Sequence, residues 1–168
     1  MSKLTMTVVA AAILAFPGLA SAQASASVQA LATVLAPISV SNLQDLQFGD
    51  VIPGVATTIA PSAGDAGQYA VSGAGVLEVT LDFGTLPATL DHTLSASTLP
   101  LSFGAGSAGV GTTTGVVATT FDPSSTYTAN LSGGDLFVFI GGTVAPDVSQ
   151  EAGDYEGTIT MTVAYTGN

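Results

Sequence analysis

The stretch "GDYEGTITMTVAY", residues 153–165, decides the fold class. Tyr155, Ile159, Met161, Val163 and Tyr165 fall on one side of an extended chain, and Thr158, Thr160 and Thr162 on the other. Side chains alternate between the two faces of a strand, so a period of two marks a strand with one buried and one wet face. "VLEVTLDFG", residues 76–84, repeats the pattern, with Leu77, Val79, Leu81 and Phe83 set against Glu78, Thr80 and Asp82. The longest case is "ASASVQALATVLAPISVS", residues 24–41. It is apolar at every even position from Ala24 to Val40, and only Leu31, Leu35 and Pro37 interrupt a small or polar odd face.

Period two holds along nearly the whole chain. "LQDLQFGDVIPG" (43–54) predicts a short strand and a turn at Pro53-Gly54, and "VATTIAP" (55–61) a further strand. "SAGDAG" (62–67) reads as a turn before a strand in "QYAVSG" (68–73). "TLSAS" (93–97) and "LPLSFG" (99–104) predict short strands, and "AGSAGVG" (105–111) a flexible connection. "TTTGVVATTF" (112–121) resumes strand composition before a turn at "DPSS" (122–125). "SGGD" (132–135) predicts a hairpin loop joining "TYTANL" to "DLFVFIGGTV", and "APDVSQEAGD" (145–154) a loop before the last strand. No segment has helical periodicity. Many short strands with turns about every 8–12 residues indicate an all-β chain, an immunoglobulin-like antiparallel β-sandwich.

The first residues have another purpose. Lys3 supplies a short basic region, "MTVVAAAILAF" an apolar run that Pro17 and Gly18 break, and Ala20-Ser21-Ala22 a small-x-small cleavage site. Residues 1–22 are therefore expected to be a secretory signal peptide, cut before Gln23. Residues 23–36 then form an amino-terminal strand or donor extension, and 37–168 one β-sandwich domain. No later run of about 20 apolar residues is free of polar interruption, so no transmembrane span is expected in the mature chain.

Lys3 is the only Lys or Arg, so twelve carboxylates beyond the leader are unopposed. Nucleic-acid binding is excluded, because nothing can release counterions from phosphates. Electrostatic attachment to an anionic membrane is excluded on the same ground. There is no cysteine. Stability must come from the core, from assembly, or from both.

The chemical motifs are weak. "GAGSAG" (104–109) matches a dinucleotide-binding glycine pattern, but the β-rich "VGTTTGVV" follows in place of the required helix. His92 is the only imidazole. Beside Asp91 on a strand it would point to the opposite face, and both read as surface polar residues. Glu78 and Asp82 lie roughly 13 Å apart along one strand face, too wide for a retaining glycosidase pair. "DVSQEAGDYE" (147–156) reads as solvated loop acids, with weak calcium binding as the alternative. Asn130-Leu131-Ser132 is a glycosylation sequon by pattern only. "LQFG", "LDFG" and "LSFG", beginning at Leu46, Leu81 and Leu101, read as strand ends, with Leu and Phe in the core and Gly opening the turn. No enzyme activity, cofactor or metal site is expected.

"DLQFGDVIPG" near the start, "LFVFIGGTV" and "GDYEGTITMTVAY" together resemble an exported, pilin-like bacterial family, the domain of unknown function 4402 family. There is a more distant likeness to spore-coat-U-type and chaperone–usher pilins. The likeness is carried by Leu46–Gly49, Gly141–Val144 and Gly153–Tyr165. It implies an incomplete immunoglobulin-like sandwich that a periplasmic chaperone completes first. The amino-terminal extension of the next subunit, inserted at an outer-membrane usher, then replaces the chaperone. By that resemblance Val28, Ala30, Ala32, Val34 and Ala36 are the inserting side chains. The disulfide usual in such pilins is absent here, and several of the inserting residues are alanines.

Two functions follow as expectations. The first is a non-enzymatic structural subunit of a surface or extracellular filament, a fimbrium-like assembly, exported through the periplasm and built head to tail by strand addition. The second is a self-contained secreted adhesin or carbohydrate-binding module, in which residues 24–41 pair within their own sheet. A cluster of exposed rings drawn from Tyr69, Tyr127, Tyr155 and Tyr165 would favour that second reading.

Overall fold

The computed structural model describes residues 23–167, so the expected signal peptide lies outside the described residues. Two units are distinguished, one ending at Thr33 and one running from Val34. In the first, residues 23–33 have no regular secondary structure and every one is exposed.

The second unit holds thirteen strands, numbered in chain order. One sheet has the spatial order β1 (Ser39–Gln44), β3 (Gly67–Ser72), β10 (Asp135–Ile140), β7 (Ala108–Gly111), β8 (Thr119–Phe121). A second has the order β12 (Tyr155–Glu156), β5 (Thr89–His92), β6 (Thr98–Ser102), β11 (Gly142–Val144), β2 (Thr57–Ile59). A third holds β13 (Thr162–Tyr165), β4 (Glu78–Asp82) and β9 (Tyr127–Asn130). All these pairings are antiparallel. The result is an all-β domain of several antiparallel sheets, and no helix occurs among the described residues. Among the described residues no helix is long and apolar enough to cross a membrane.

The main core lies between the first and third sheets. Val71, Val110, Leu136, Val138 and Ile140 meet Val79, Leu81, Leu131 and Met161 there, with Phe83 and Phe121 filling between them. A smaller cluster under the second sheet joins Leu99, Leu101 and Val144 to Phe48, Val51, Leu90 and Tyr155. Alternation accounts for both. In β4, Val79 and Leu81 are fully buried while Asp82 is exposed. In the last stretch Tyr155, Ile159, Met161, Val163 and Tyr165 are the sheltered positions, and Thr158, Thr160 and Thr162 are exposed.

Glycines place two of the changes in direction. At Pro53-Gly54 the Val55 amide donates to Ile52 O at 3.0 Å and Gly54 has φ +78°. Proline followed by a glycine at positive φ is the combination a type II turn requires. At Gly141 the chain passes from β10 in the first sheet to β11 in the second. A Cβ there would collide with the carbonyl oxygen of Ile59.

Five expectations need correction. The strand read over residues 24–41 begins only at Ser39, which pairs with Ser72, the last residue of β3. Beyond that pair the ladder has no partner, and Pro37 has no amide to offer it. In "LQDLQFGDVIPG" the ladder ends at Gln44, and Leu46 and Phe48 turn inward without strand pairing. "TLSAS" is the bend between β5 and β6, and "LDH" before it is part of the strand. "AGSAGVG" is not a flexible connection, because Ala108–Gly111 is the fully buried β7. A Cβ on Gly109 would meet the Val117 side chain and one on Gly111 the Val116 carbonyl, so these glycines permit close packing of the next segment. Finally, "SGGD" is a tight turn, with Ser132 and Asp135 bonded both ways across Gly133 and Gly134. The strands it joins then part, β9 into the third sheet and β10 into the first.

Candidate functional site

The two layers close differently at their two sides. At one side, β8 and β9 are edge strands linked by the "DPSS" turn. There Phe121 stacks on Tyr127 with ring centroids 4.2 Å apart and planes 13° apart. At the other side, β1 and β13 are the edge strands. Among the described residues β1 pairs only with β3 and β13 only with β4. Each leaves one row of backbone donors and acceptors without a strand partner. This open seam is the candidate site.

The seam is bridged at two points. At one end the Tyr165 hydroxyl donates to Ala36 O at 2.9 Å and accepts from the Ala74 amide. Ile38 packs against the main core beside it. Midway, the Tyr69 hydroxyl donates to Ile159 O at 2.8 Å, tying β3 to the chain between β12 and β13. Burial raises the Tyr69 phenol above its ordinary value of 10.0, and the nearby Asp45 carboxylate raises it further.

Beyond Tyr69 the seam widens into a cleft of about 830 Å³. Residues 42–51 form one wall and 150–159 the other, over a floor that includes Leu90, Leu99, Leu101 and Ile140. The rim is acidic, with Asp45, Asp50, Glu151, Asp154 and Glu156 and no cation to oppose them. On β1, Val40 and Leu43 are 40% and 49% accessible among the polar Ser39, Ser41, Asn42 and Gln44.

The wall at 150–154 is held by a polar clasp to the β5–β6 bend. Tyr155 Oη donates to Glu151 O at 2.8 Å, and Gln150 Nε2 donates to Tyr155 Oη at 2.7 Å and Thr98 O at 3.2 Å. Ser95 Oγ donates to Glu151 Oε2 at 2.9 Å, and the Thr93 amide to Asp154 O. His92 sits at the centre. It is buried, not a surface residue as the sequence suggested, and Asp91 beside it is exposed. Its Nδ1 accepts from the Leu94 and Ser95 amides, both at 3.0 Å, and its ring meets Tyr155 edge to face at 5.0 Å. Nδ1 acting as acceptor assigns the proton to Nε2, which faces Ala152 O. His92 organises a loop here.

The predicted inserting residues Val28, Ala30, Ala32, Val34 and Ala36 are all exposed and outside any strand, with Val28 and Val34 both 94% accessible. The four tyrosines do not form one exposed platform. Tyr69, Tyr155 and Tyr165 use their hydroxyls to bind the backbone of their own chain, and Tyr127 stacks on Phe121. No three His, Asp or Glu side chains converge as metal ligands among the described residues. Chemically the cleft offers an apolar floor inside an acidic rim, and the β1 and β13 edges offer backbone groups without a strand partner.

Sequence reasoning identified the last strand but not Tyr69, Leu90 or the 150–154 wall as parts of one site. They come together only through pairings between distant segments. The one local signal was Gly153, whose φ of +151° and contact with the His92 ring leave no room for a Cβ. No protein-family model matches the chain, and no curated protein matches it.

Proposed function

We propose that this chain is a structural subunit of a surface or extracellular filament, and that its seam is filled by the amino-terminal segment of a neighbouring copy. On this reading the fold is an immunoglobulin-like sandwich one strand short. The observation that carries it is the pairing of opposites within one chain. β1 and β13 are edge strands, a cleft with an apolar floor opens between the segments 44–51 and 150–159, and residues 24–36 are an exposed segment with strand alternation and no strand partner.

An unpaired edge with apolar side chains is an aggregation hazard unless it is covered. An added strand satisfies its backbone groups and buries its apolar surface together. Contact between the tail of one copy and the seam of the next is heterologous and repeats without closing, so it yields a fibre. Export through the periplasm, with a chaperone protecting the seam and an usher exchanging it, accords with the pilin-like resemblance of the sequence. An uncharged insert suits an acidic rim, because residues 23–36 carry no ionisable side chain.

The test is deletion of residues 24–36 from the mature chain. The expected result is a folded protein that no longer forms rod-like oligomers by electron microscopy and light scattering. Unchanged filaments from the deleted chain would overturn the proposal.

A further inference from the structure

We infer that Pro37 and Tyr165 form a latch that prevents the amino-terminal segment from closing its own seam and commits it to a second copy of the chain. This rests on the reading that the seam takes up a strand. Strand addition alone leaves open whether the added strand is a chain's own or its neighbour's, and that choice separates a monomer from a filament.

To fill its own seam, the segment would have to lie beside β1. The chain would then reverse just before Ser39, at Ala36, Pro37 and Ile38. Tight two-residue hairpins require positive φ at their first or both central residues, which glycine and asparagine supply. In the described residues only glycines have positive φ, and none lies between Gln23 and Asn42. Pro37 has its φ fixed near −65° and no amide, so it can adopt neither central position of a type I′ turn.

A wider reversal meets a second obstacle. The Tyr165 hydroxyl holds the carbonyl of Ala36 at 2.9 Å and also accepts the Ala74 amide, so its position is fixed from both sides. Ile38 is packed against the core. Ala36 and Ile38 are thus held in place, and a reversal through them would have to break these contacts.

A second copy makes no reversal at Pro37, so the turn is no obstacle to it. The far wall of the seam from Tyr155 to Tyr165 is eleven residues long, and the segment 23–36 is fourteen. At about 3.3 Å per residue these are roughly 36 Å and 46 Å. The segment is long enough to line the wall up to Tyr165 once the Tyr69–Ile159 hydrogen bond in its path opens, and it leaves a few residues to reach its own body. It brings no carboxylate to the acidic rim.

The experiment changes the turn and leaves the donor residues before it intact. Pro37→Asn with a glycine inserted after it introduces the dipeptide that most favours a type I′ hairpin and keeps Ala36. Tyr165→Phe removes the hydroxyl while keeping the ring. Mature wild-type chain and both variants are compared by light scattering, with and without excess synthetic peptide of residues 23–36. The wild type should form oligomers that the peptide shortens, while the Asn-Gly variant falls to the mass of one chain and its β1 and β13 amides exchange more slowly. A monomeric fraction in Tyr165→Phe would also support the latch. If the peptide shortens the oligomers and both variants assemble like wild type, the latch is wrong and the seam reading stands. If the peptide changes nothing, the seam reading fails and the latch with it. A wild-type chain that is monomeric at every concentration also overturns the latch.

Discussion

Tyr69 shows how one side chain ties the seam together and leaves a titration signature. Its neutral phenol donates to Ile159 O, and burial followed by Asp45 disfavours the phenolate. The folded pKa therefore lies above the unfolded value of about 10. The resulting stability is fully present below pH 10 and is lost as pH rises from there through the folded value. Absorbance titration should show a phenol ionising above the ordinary tyrosine range, and Tyr69→Phe should abolish that step. The substitution should also cost about 1 kcal/mol in urea unfolding at neutral pH, the worth of one net hydrogen bond. His92 makes a different contribution. His92→Ala removes the acceptor of two amides and the edge contact to Tyr155, and should destabilise by about 2 kcal/mol. Amide exchange should quicken first at residues 93–97 and 150–154.

At the scale of elements, the alternating strands were legible and their partners were not. β4 and the stretch from Tyr155 to Tyr165 follow from period two, because burying one face of a strand writes the alternation into the sequence. The crossing from β10 to β11 did not follow, although "IGG" marks it. Gly141 is needed because its Cα approaches the Ile59 backbone, a contact between residues distant in sequence. Gly141→Ala should therefore cost about 2 kcal/mol or more as an overpacked site, read as a lower urea midpoint with an unchanged slope. β7 is hidden from a local reading for a related reason. Its glycines resemble those of a mobile loop, yet Ala108 and Val110 face the core while the glycines admit the segment at Val116 and Val117. The inward face of the seam was half legible. Met161 and Val163 were read from the sequence, whereas Leu90, Tyr69 and the clasped 150–154 wall come from three separate segments.

For the whole molecule, charge and edge design act against each other. Every ionisable carboxylate beyond Lys3 carries the same sign, with a formal net charge of −11 for the full chain. Like charge destabilises the compact state and opposes contact between copies. The melting temperature and the mean oligomer mass should both rise as sodium chloride increases from about 0.01 to 0.15 M, where the Debye length shortens from about 30 to 8 Å. Assembly that weakens with salt would show that charge attraction holds the copies together. The asymmetry of the layers gives the architecture a direction. On the β8–β9 side Phe121 stacks on Tyr127, and on the β1–β13 side Tyr165 and Tyr69 reach across to the backbone.

The sequence by itself determined the all-β class, the positions of most turns, the inward face of the last strand and the chemical neutrality of residues 23–36. These are local properties, set by side-chain periodicity and by composition. Only the tertiary structure decided that β1 and β13 are edge strands on one side, that a cleft opens between the segments 44–51 and 150–159, and that Tyr165 holds Ala36. Those features depend on which strands pair and which side chains meet across about 130 residues of chain, from Ala36 to Tyr165. No local pattern encodes that choice, because it is made by the packing of all the strands together.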